Sequence, residues 1–199
     1  MLRRIATVLF DLDGTLTVPV LDFPALRRAI GAPPGASIVH ALQAMPPDRR
    51  AAAEAVIREA ELAAARRTRP NRGAIELVQW LHSRGFATGI ITRNFREAVD
   101  VTLAALGLAF DVVITRDCAP PKPAPDPVLE ALRRLGREAA SALMVGDYVD
   151  DLTSGRLAGA RTCLVMNGPG PAAFEADLAV SYPEDLHALL RKAFQTPSA

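Results

Sequence analysis

The stretch VLFDLDGTL, residues 8–16, joins an apolar run to two carboxylates and a glycine turn. The apolar residues over 8–10 are typical of a buried strand in a parallel sheet. Asp11 and Asp13 follow at once, so both acids stand at the carboxyl end of that strand. Ligands of α/β folds bind at this edge of the sheet. Paired acids in this place indicate metal-assisted chemistry.

The composition describes an ordinary globular chain. Of 199 residues, 50% are hydrophobic and 23% are charged, and the formal net charge is +1. Such a chain can bury a core without disulfides, and its charge gives no reason to expect a nucleic-acid partner. The apolar run over residues 5–10 is too short for a membrane span or a secretory signal. Cys118 and Cys163 form no disulfide framework, so we expect reduced thiols and a cytoplasmic protein.

Short apolar runs alternate with segments of helical length along most of the chain. This alternation predicts an α/β fold with a Rossmann-like, three-layer core built on a parallel sheet. Asn94 and Glu97 have the spacing of a capping box, which predicts a helix that ends at Gly107. Strands are predicted over residues 6–10, 87–91, 112–115, 143–145 and 162–166, with an edge strand over 179–182.

Residues 17–73 interrupt this alternation with helical pieces and pairs of prolines. We predict a small α-helical cap over this segment, inserted after the first strand into a core made of residues 1–16 and 74–199. Residues 48–68 are rich in Ala, Arg and Glu and predict one long amphipathic helix. Its predicted apolar face consists of Ala52, Ala55, Val56, Leu62 and Ala63.

Four polar residues follow four of the predicted strands. Asp11, Thr92, Lys122 and Asp147 each come soon after an apolar run. The carboxyl ends of parallel strands with right-handed crossovers share one edge of the sheet. We therefore expect these residues, although far apart in sequence, to meet in one crevice.

Four segments stand in order along the chain: DLDGT at 11–15, threonine at 92, PKPAPDP at 121–127 and GDYVDD at 146–151. Together they resemble the four motifs of the haloacid dehalogenase superfamily, over nearly the whole chain. The small helical cap is similar to that of the phosphoglycolate phosphatase-like subgroup. Two positions depart from the pattern. Tyr148 stands where many relatives have Ser or Thr, and Arg93 stands where phosphatases often have Asn.

The resemblance implies a catalytic role for three residues. Asp11 would be the nucleophile that carries a transient aspartyl phosphate, and Asp13 would be the general acid and base. Lys122 would neutralise the nucleophile and the phosphate. Members that dehalogenate or pump ions lack an acid at the place of Asp13, so this residue favours phosphoryl transfer.

The resemblance also implies the phosphate and metal ligands. Thr92, Arg93 and Lys122 would bind phosphate. Mg²⁺ would be held by Asp11, Asp147 and the backbone carbonyl of Asp13, because this cation prefers oxygen ligands. Asp151 would support the metal site from outside its ligand set.

The expected function is Mg²⁺-dependent hydrolysis of a small phosphomonoester through an aspartyl-phosphate intermediate. Two alternatives stay open: a phosphomutase acting on a sugar phosphate, and a non-catalytic regulatory binding protein on the same fold. The expected partner is a small phosphorylated metabolite, with neither nucleic acid nor membrane, and the protein would be a monomer or a homodimer.

Overall fold

A computed structural model describes residues 2–36 and 38–195, so Met1, Ser37 and residues 196–199 of the predicted domains lie outside the described residues. Within this part of the chain, six strands form one parallel sheet in the order β3-β2-β1-β4-β5-β6. The predicted α/β fold is confirmed. The strands are β1 (Thr7–Phe10), β2 (Ala87–Ile91), β3 (Val112–Ile114), β4 (Ala142–Gly146), β5 (Arg161–Val165) and β6 (Leu178–Val180).

Helices cover both faces of the sheet. The α-helices are α1 (Phe23–Ala29), α2 (Ile38–Gln43), α3 (Pro47–Ala65), α4 (Ala74–Ser83), α5 (Arg96–Leu106), α6 (Asp126–Leu135), α7 (Val149–Leu157) and α8 (Pro183–Phe194). Side chains of α4, α5 and α8 join one core cluster, and side chains of α6 join the other. α7 packs on β4 and β5. Among the described residues, no helix is both long and apolar enough to cross a membrane.

β1 is the central strand, and it is buried on both faces. Val8 and Phe10 belong to one core cluster, whereas Leu9 belongs to the other. This explains why the strand is a continuous apolar run rather than an alternating one. β2 and β4 flank β1, so Asp11 lies between the ends of two neighbouring strands.

Three helices, α1 to α3, fill the segment between β1 and α4 that was predicted to be a cap. The limits of this cap at residues 17 and 73 stay a prediction. The segments that lead from the core to the cap and back lie side by side. The Val18 amide donates to the Arg69 carbonyl at 3.0 Å, and the Asn71 amide donates to the Leu16 carbonyl at 2.8 Å. The small cluster of the cap also takes in a core residue, Phe95.

The predicted apolar face of α3 is wrong. Ala52, Ala55, Val56 and Ala63 are exposed. The buried positions are Ala53, Ile57, Glu61, Ala64 and Ala65. An alanine-rich helix has little contrast between its faces, so the packing of α3 against α1, α2 and α5 decides which face is covered.

The capping box predicted at the start of α5 is also wrong. The helix begins at Arg96, its N-cap residue is Phe95, and no side chain caps it. The side chain of Asn94 bonds instead to Asp13. The predicted end of the helix is confirmed, since Gly107 follows α5 with a left-handed φ of 64°.

Replacing Leu186 tests how much the core contributes to stability. Its side chain is fully buried in the cluster that α8 shares with α4, so Leu186→Ala is expected to lower the free energy of unfolding by about 2–5 kcal/mol in urea denaturation. Leu189 on the same helix is 39% exposed and provides the control, with an expected change of about 0.5 kcal/mol or less for Leu189→Ala. Equal losses in the two variants would contradict this packing.

Candidate active site

Three carboxylates meet at the carboxyl edge of the sheet. Asp11 follows β1, Asp147 follows β4 and Asp151 lies in the first turn of α7. Each offers an oxygen, and these oxygens all lie within 4.8 Å of one another. Gly14, with a φ of 85°, allows the close approach, since a side chain there would collide with the carboxylate of Asp147. Only the tertiary fold brings these three acids together.

A single lysine lies among these acids. The Nζ atom of Lys122 donates to Asp11 Oδ1 at 2.5 Å and to the Ile91 carbonyl at 2.8 Å, and it lies 2.6 Å from Asp151 Oδ1. The side chain is only 2% exposed. Burial opposes its charge, but Asp11 and Asp151 outweigh this effect and raise the pKa of Lys122. Lys122 is therefore protonated at neutral pH and fixed by three acceptors.

The acids outnumber the lysine. Burial raises the pKa of Asp11, Lys122 opposes that shift, and the charges of Asp151 and Asp147 reinforce it. Burial, followed by the charge of Asp151, raises the pKa of Asp147 to about 6. With all groups ionised, three carboxylates face one ammonium group, which leaves two negative charges uncompensated. An oxygen-only donor set with excess negative charge suits a hard divalent cation.

Asp13 has an environment separate from that of Asp11. Its Oδ2 accepts a hydrogen bond from Asn94 Nδ2 at 2.6 Å, and Thr17 Oγ1 lies 3.4 Å from its Oδ1. Burial raises the pKa of Asp13, whereas the bonds from Asn94 and Thr17 and the charge of Lys122 lower it. A carboxyl group with a raised pKa is suited to taking and giving a proton near neutral pH.

Thr92 and Arg93 follow β2 beside this cluster. The Thr92 amide donates to the Ile114 carbonyl at 3.0 Å, so it is engaged in the sheet, and the Thr92 hydroxyl accepts from the Asn94 amide at 3.2 Å. Arg93 directs its guanidinium to Asp150, with Nη1 2.9 Å from Oδ2. This pair joins the loop after β2 to the first turn of α7, which follows β4 on the other side of β1, and both side chains are partly exposed.

Two asparagines hold the turn that carries Asp13. Asn71 Nδ2 donates to the Thr15 carbonyl at 2.9 Å and to Asn167 Oδ1 at 2.8 Å. Asn167 Nδ2 in turn donates to the Gly14 carbonyl at 2.7 Å, and Asn167 has a left-handed φ of 58°. These bonds fix the turn from the returning end of the cap and from the loop after β5.

A further buried carboxylate comes from the cap. Glu61 on α3 accepts a hydrogen bond from the Phe95 amide at 2.8 Å and pairs with Arg116 Nη2 at 2.5 Å. Burial raises the pKa of Glu61 to about 7 from 4.5, although Arg116 and the Phe95 amide oppose the shift. The cap is thus joined to the core through a charged contact next to Asn94.

The sequence did not predict the roles of Asn71, Asn94, Asn167, Glu61 and Arg116. Asn94 had a local signal, its position two residues after Thr92, but the spacing to Glu97 favoured a cap for α5. Glu61 had no such signal, because a glutamate in an Ala, Arg and Glu-rich helix is typical of a solvated face. The asparagines act on residues far away in sequence, so no local pattern marks them.

Comparisons with known proteins agree with this architecture. A family model for haloacid dehalogenase-like hydrolases matches residues 5–159. A haloacid dehalogenase-like hydrolase domain-containing protein of Arabidopsis thaliana is 34% identical over 174 residues, which are 81% of this chain and 71% of that protein. An N-acetylmuramic acid 6-phosphate phosphatase of Pseudomonas aeruginosa is 30% identical over 218 aligned positions, 96% of each chain. The crystal structure of a hydrolase from Pseudomonas syringae has a TM-score of 0.79 at 23% identity and covers 94% of this chain and 98% of its own.

The parallel sheet and these likenesses define a hydrolase with an α/β fold. The chain belongs to the haloacid dehalogenase-like hydrolase family.

The titration of Glu61 predicts a pH-dependent stability. Because the pKa of Glu61 is higher in the folded than in the unfolded chain, its stabilising contribution is complete below about pH 4.5 and is lost as the pH rises through about 7. Glu61→Gln removes this titration. The free energy of unfolding of the wild type, minus that of Glu61→Gln, should fall by on the order of 1–3 kcal/mol between about pH 5 and pH 8 in urea denaturation. A constant difference over this range would contradict the raised pKa.

Proposed function

We propose that this chain is a Mg²⁺-dependent phosphatase that hydrolyses a small phosphomonoester through an aspartyl phosphate on Asp11. The observation that carries the proposal is the buried contact of Lys122 with Asp11 and Asp151 beside Asp147. Asp13 stands apart from this contact, with its own hydrogen-bond donor. One acid is therefore held next to the Lys122 ammonium group, and a second is placed for proton transfer.

The reaction has two displacements. An oxygen of Asp11 attacks phosphorus, the ester bond breaks, and the departing oxygen takes a proton from Asp13. Water then attacks the phosphorus of the aspartyl phosphate and gives its proton to Asp13, which releases inorganic phosphate and restores Asp11. An ester oxygen is a poor leaving group, so the first displacement requires the acid. The raised pKa of Asp13 supports this role.

The donor set fits Mg²⁺, because it consists of oxygen atoms and carries excess negative charge. We propose Asp11, Asp147 and the backbone carbonyl of Asp13 as ligands, with Asp151 outside the ligand set and bound to Lys122. When bound, Mg²⁺ supplies positive charge that offsets the charge of the phosphoryl oxygens. Lys122 adds its own positive charge and keeps the Asp11 carboxylate oriented.

Thr92 is the proposed phosphate ligand through its hydroxyl, since its own amide is bonded to Ile114. Arg93 lies next to it and is proposed to contribute to phosphate binding from the rim of the site, where Asp150 now holds its guanidinium. The cap formed by α1 to α3 would cover the leaving group and exclude water.

A small phosphorylated metabolite is the proposed substrate, and the N-acetylmuramic acid 6-phosphate phosphatase among the relatives is an example of such chemistry in the family. Cys118 and Cys163 are both free thiols, which supports a reducing, cytoplasmic setting. For the oligomeric state, a monomer or a homodimer remains the prediction.

Phosphate release from an aryl phosphate tests the proposal. The wild type should release inorganic phosphate only with Mg²⁺, and Asp11→Asn should abolish release because an amide cannot act as the nucleophile. Asp100→Asn, at an exposed residue of α5, should retain full activity. Release without Mg²⁺, or by Asp11→Asn, would contradict the mechanism. Interconversion of sugar phosphate isomers without phosphate release would indicate a phosphomutase, and inactivity on a broad panel of phosphoesters would indicate a binding protein.

Lys122→Ala tests the charge balance of the site. Removing the one ammonium group from among three carboxylates is expected to lower kcat by about 10²-fold or more, measured by phosphate release at saturating Mg²⁺. The chain has one other lysine, Lys192, which is exposed on α8. Lys192→Ala should therefore have wild-type kcat, and an equal kcat in Lys122→Ala would refute the assigned role.

A further inference from the structure

The buried charge of Glu61 is not explained by stability. Glu61 is 4% exposed and lies on α3, where the other buried positions are Ala53, Ile57, Ala64 and Ala65. Burying an ion pair costs desolvation energy that its attraction often fails to offset, so an apolar residue there would serve packing as well. The carboxylate of Glu61 is therefore better explained by the groups that it holds in place than by packing.

What Glu61 holds is the loop after β2. Its Oε2 accepts the hydrogen bond from the Phe95 amide, and its Oε1 pairs with Arg116. Arg116 also donates through Nε to the Arg93 carbonyl at 2.5 Å. One cap carboxylate thus acts, directly and through one guanidinium, on the residues before and after Asn94.

The Phe95 side chain strengthens the same contact. Its ring lies in the cap cluster with Leu26 and Ile57. The guanidinium carbon of Arg116 lies 3.9 Å from the ring centroid, and that of Arg58 on α3 lies 4.0 Å from it. Stacking of this kind is favourable when the cation is partly desolvated. Backbone and side chain of Phe95 are therefore both fixed by the docked cap.

Asn94 lies between these two fixed residues and reaches the proposed proton-transfer group. Its Nδ2 donates to Asp13 Oδ2 at 2.6 Å, and its backbone amide donates to the Thr92 hydroxyl at 3.2 Å. A shift of the loop by about 1 Å would break the bond to Asp13, because a hydrogen bond of this kind fails beyond roughly 3.5 Å. The hydrogen bond that orients the Asp13 carboxylate therefore depends on where Glu61 holds the loop.

We propose that Glu61 is a positioning residue that acts from the cap, through the loop of residues 93–95 and the Asn94 side chain, on the proton-transfer carboxylate of Asp13. The proposal rests on the proposed function, since it takes Asp13 as the general acid and base. Asp13 then has its working geometry only while α3 is docked on the core. The reaction is linked in this way to the presence of the cap over the leaving group.

A second ion pair between cap and core provides the control. Arg58 Nη1 lies 2.5 Å from Glu97 Oε1, but both side chains are about half exposed, and Glu97 lies within α5 beyond the loop. Glu97→Gln removes a charged cap contact without removing the contacts of Glu61. A general loosening of the cap and a specific effect on Asp13 can therefore be separated.

Steady-state phosphate release with Mg²⁺ is measured for Glu61→Ala, Asn94→Ala, the double variant and Glu97→Gln. We expect Glu61→Ala and Asn94→Ala each to lower kcat by about tenfold to 100-fold, because a misplaced general acid loses much of its effect. The kcat of the double variant should lie within about threefold of the kcat of the less active single variant, since both substitutions act on one contact. Glu97→Gln should stay within about twofold of the wild type. Multiplying effects in the double variant, or a loss in Glu97→Gln equal to that in Glu61→Ala, would overturn the proposal.

A measurement independent of activity separates the two proposals. The side-chain amide resonance of Asn94, assigned by its absence in Asn94→Ala, should shift in ¹⁵N spectra of Glu61→Gln, which is matched in size to the wild type. It should not shift in Glu97→Gln. An unchanged resonance in Glu61→Gln overturns the positioning role even in an active enzyme. A shifted resonance supports the contact even if the wild type hydrolyses no phosphoester, in which case only the proposed function fails.

Discussion

The mutual repulsion of three carboxylates clustered beside Lys122 is the constraint on which the site depends. Asp11 follows β1, whereas Asp147 and Asp151 come from the end of β4 and the first turn of α7, and the lysine compensates only part of their charge. Charges without full compensation are costly in a buried site, so the arrangement is complete only with further positive charge. With that positive charge bound, an anionic phosphoryl group can approach the carboxylates. The uncompensated negative charge that destabilises the free site therefore favours binding of a cation, and the bound cation favours binding of the anionic substrate.

The Glu61–Arg116 ion pair binds the loop that follows Ile91, the residue whose carbonyl accepts a hydrogen bond from Lys122. Thr92 lies at one end of residues 92–95 beside the carboxylate cluster, and Phe95 at the other end is bound by Glu61 of the cap. Asn94 connects the two regions through Asp13. Because each of these contacts fixes the same short backbone segment, cap docking and catalytic geometry are coupled without a long pathway. The coupling between the cap and the site passes through this loop, because it is bonded at both ends.

The groups that serve the reaction are distinct from those that would select a substrate. Asp11, Asp13, Lys122 and Asp147 account for the proposed chemistry of the phosphoryl group. In the proposed reaction the leaving group lies toward the cap and the rim. At the rim Arg93 pairs with Asp150, and the ring of Tyr148 lies 5.5 Å from that of Phe174. Arg93 and Tyr148 differ from the pattern that the family motifs lead one to expect, so substrate identity does not carry over from a relative.

The sequence by itself determined the α/β fold, the order of its strands along the chain and the set of acids that follow them. It could do so because a strand buried on both faces must be a continuous apolar run, and its end is marked where polar residues begin, as at Asp11. Tertiary structure alone decided the buried face of α3 and the partners of the asparagines. Glu61 and Phe95 are 34 residues apart, Asn94 and Asp13 are 81 apart, and Asn167 and Gly14 are 153 apart. A polar side chain bonds to any donor or acceptor that the fold brings within about 3 Å. A local sequence pattern cannot indicate a partner that lies so many residues away.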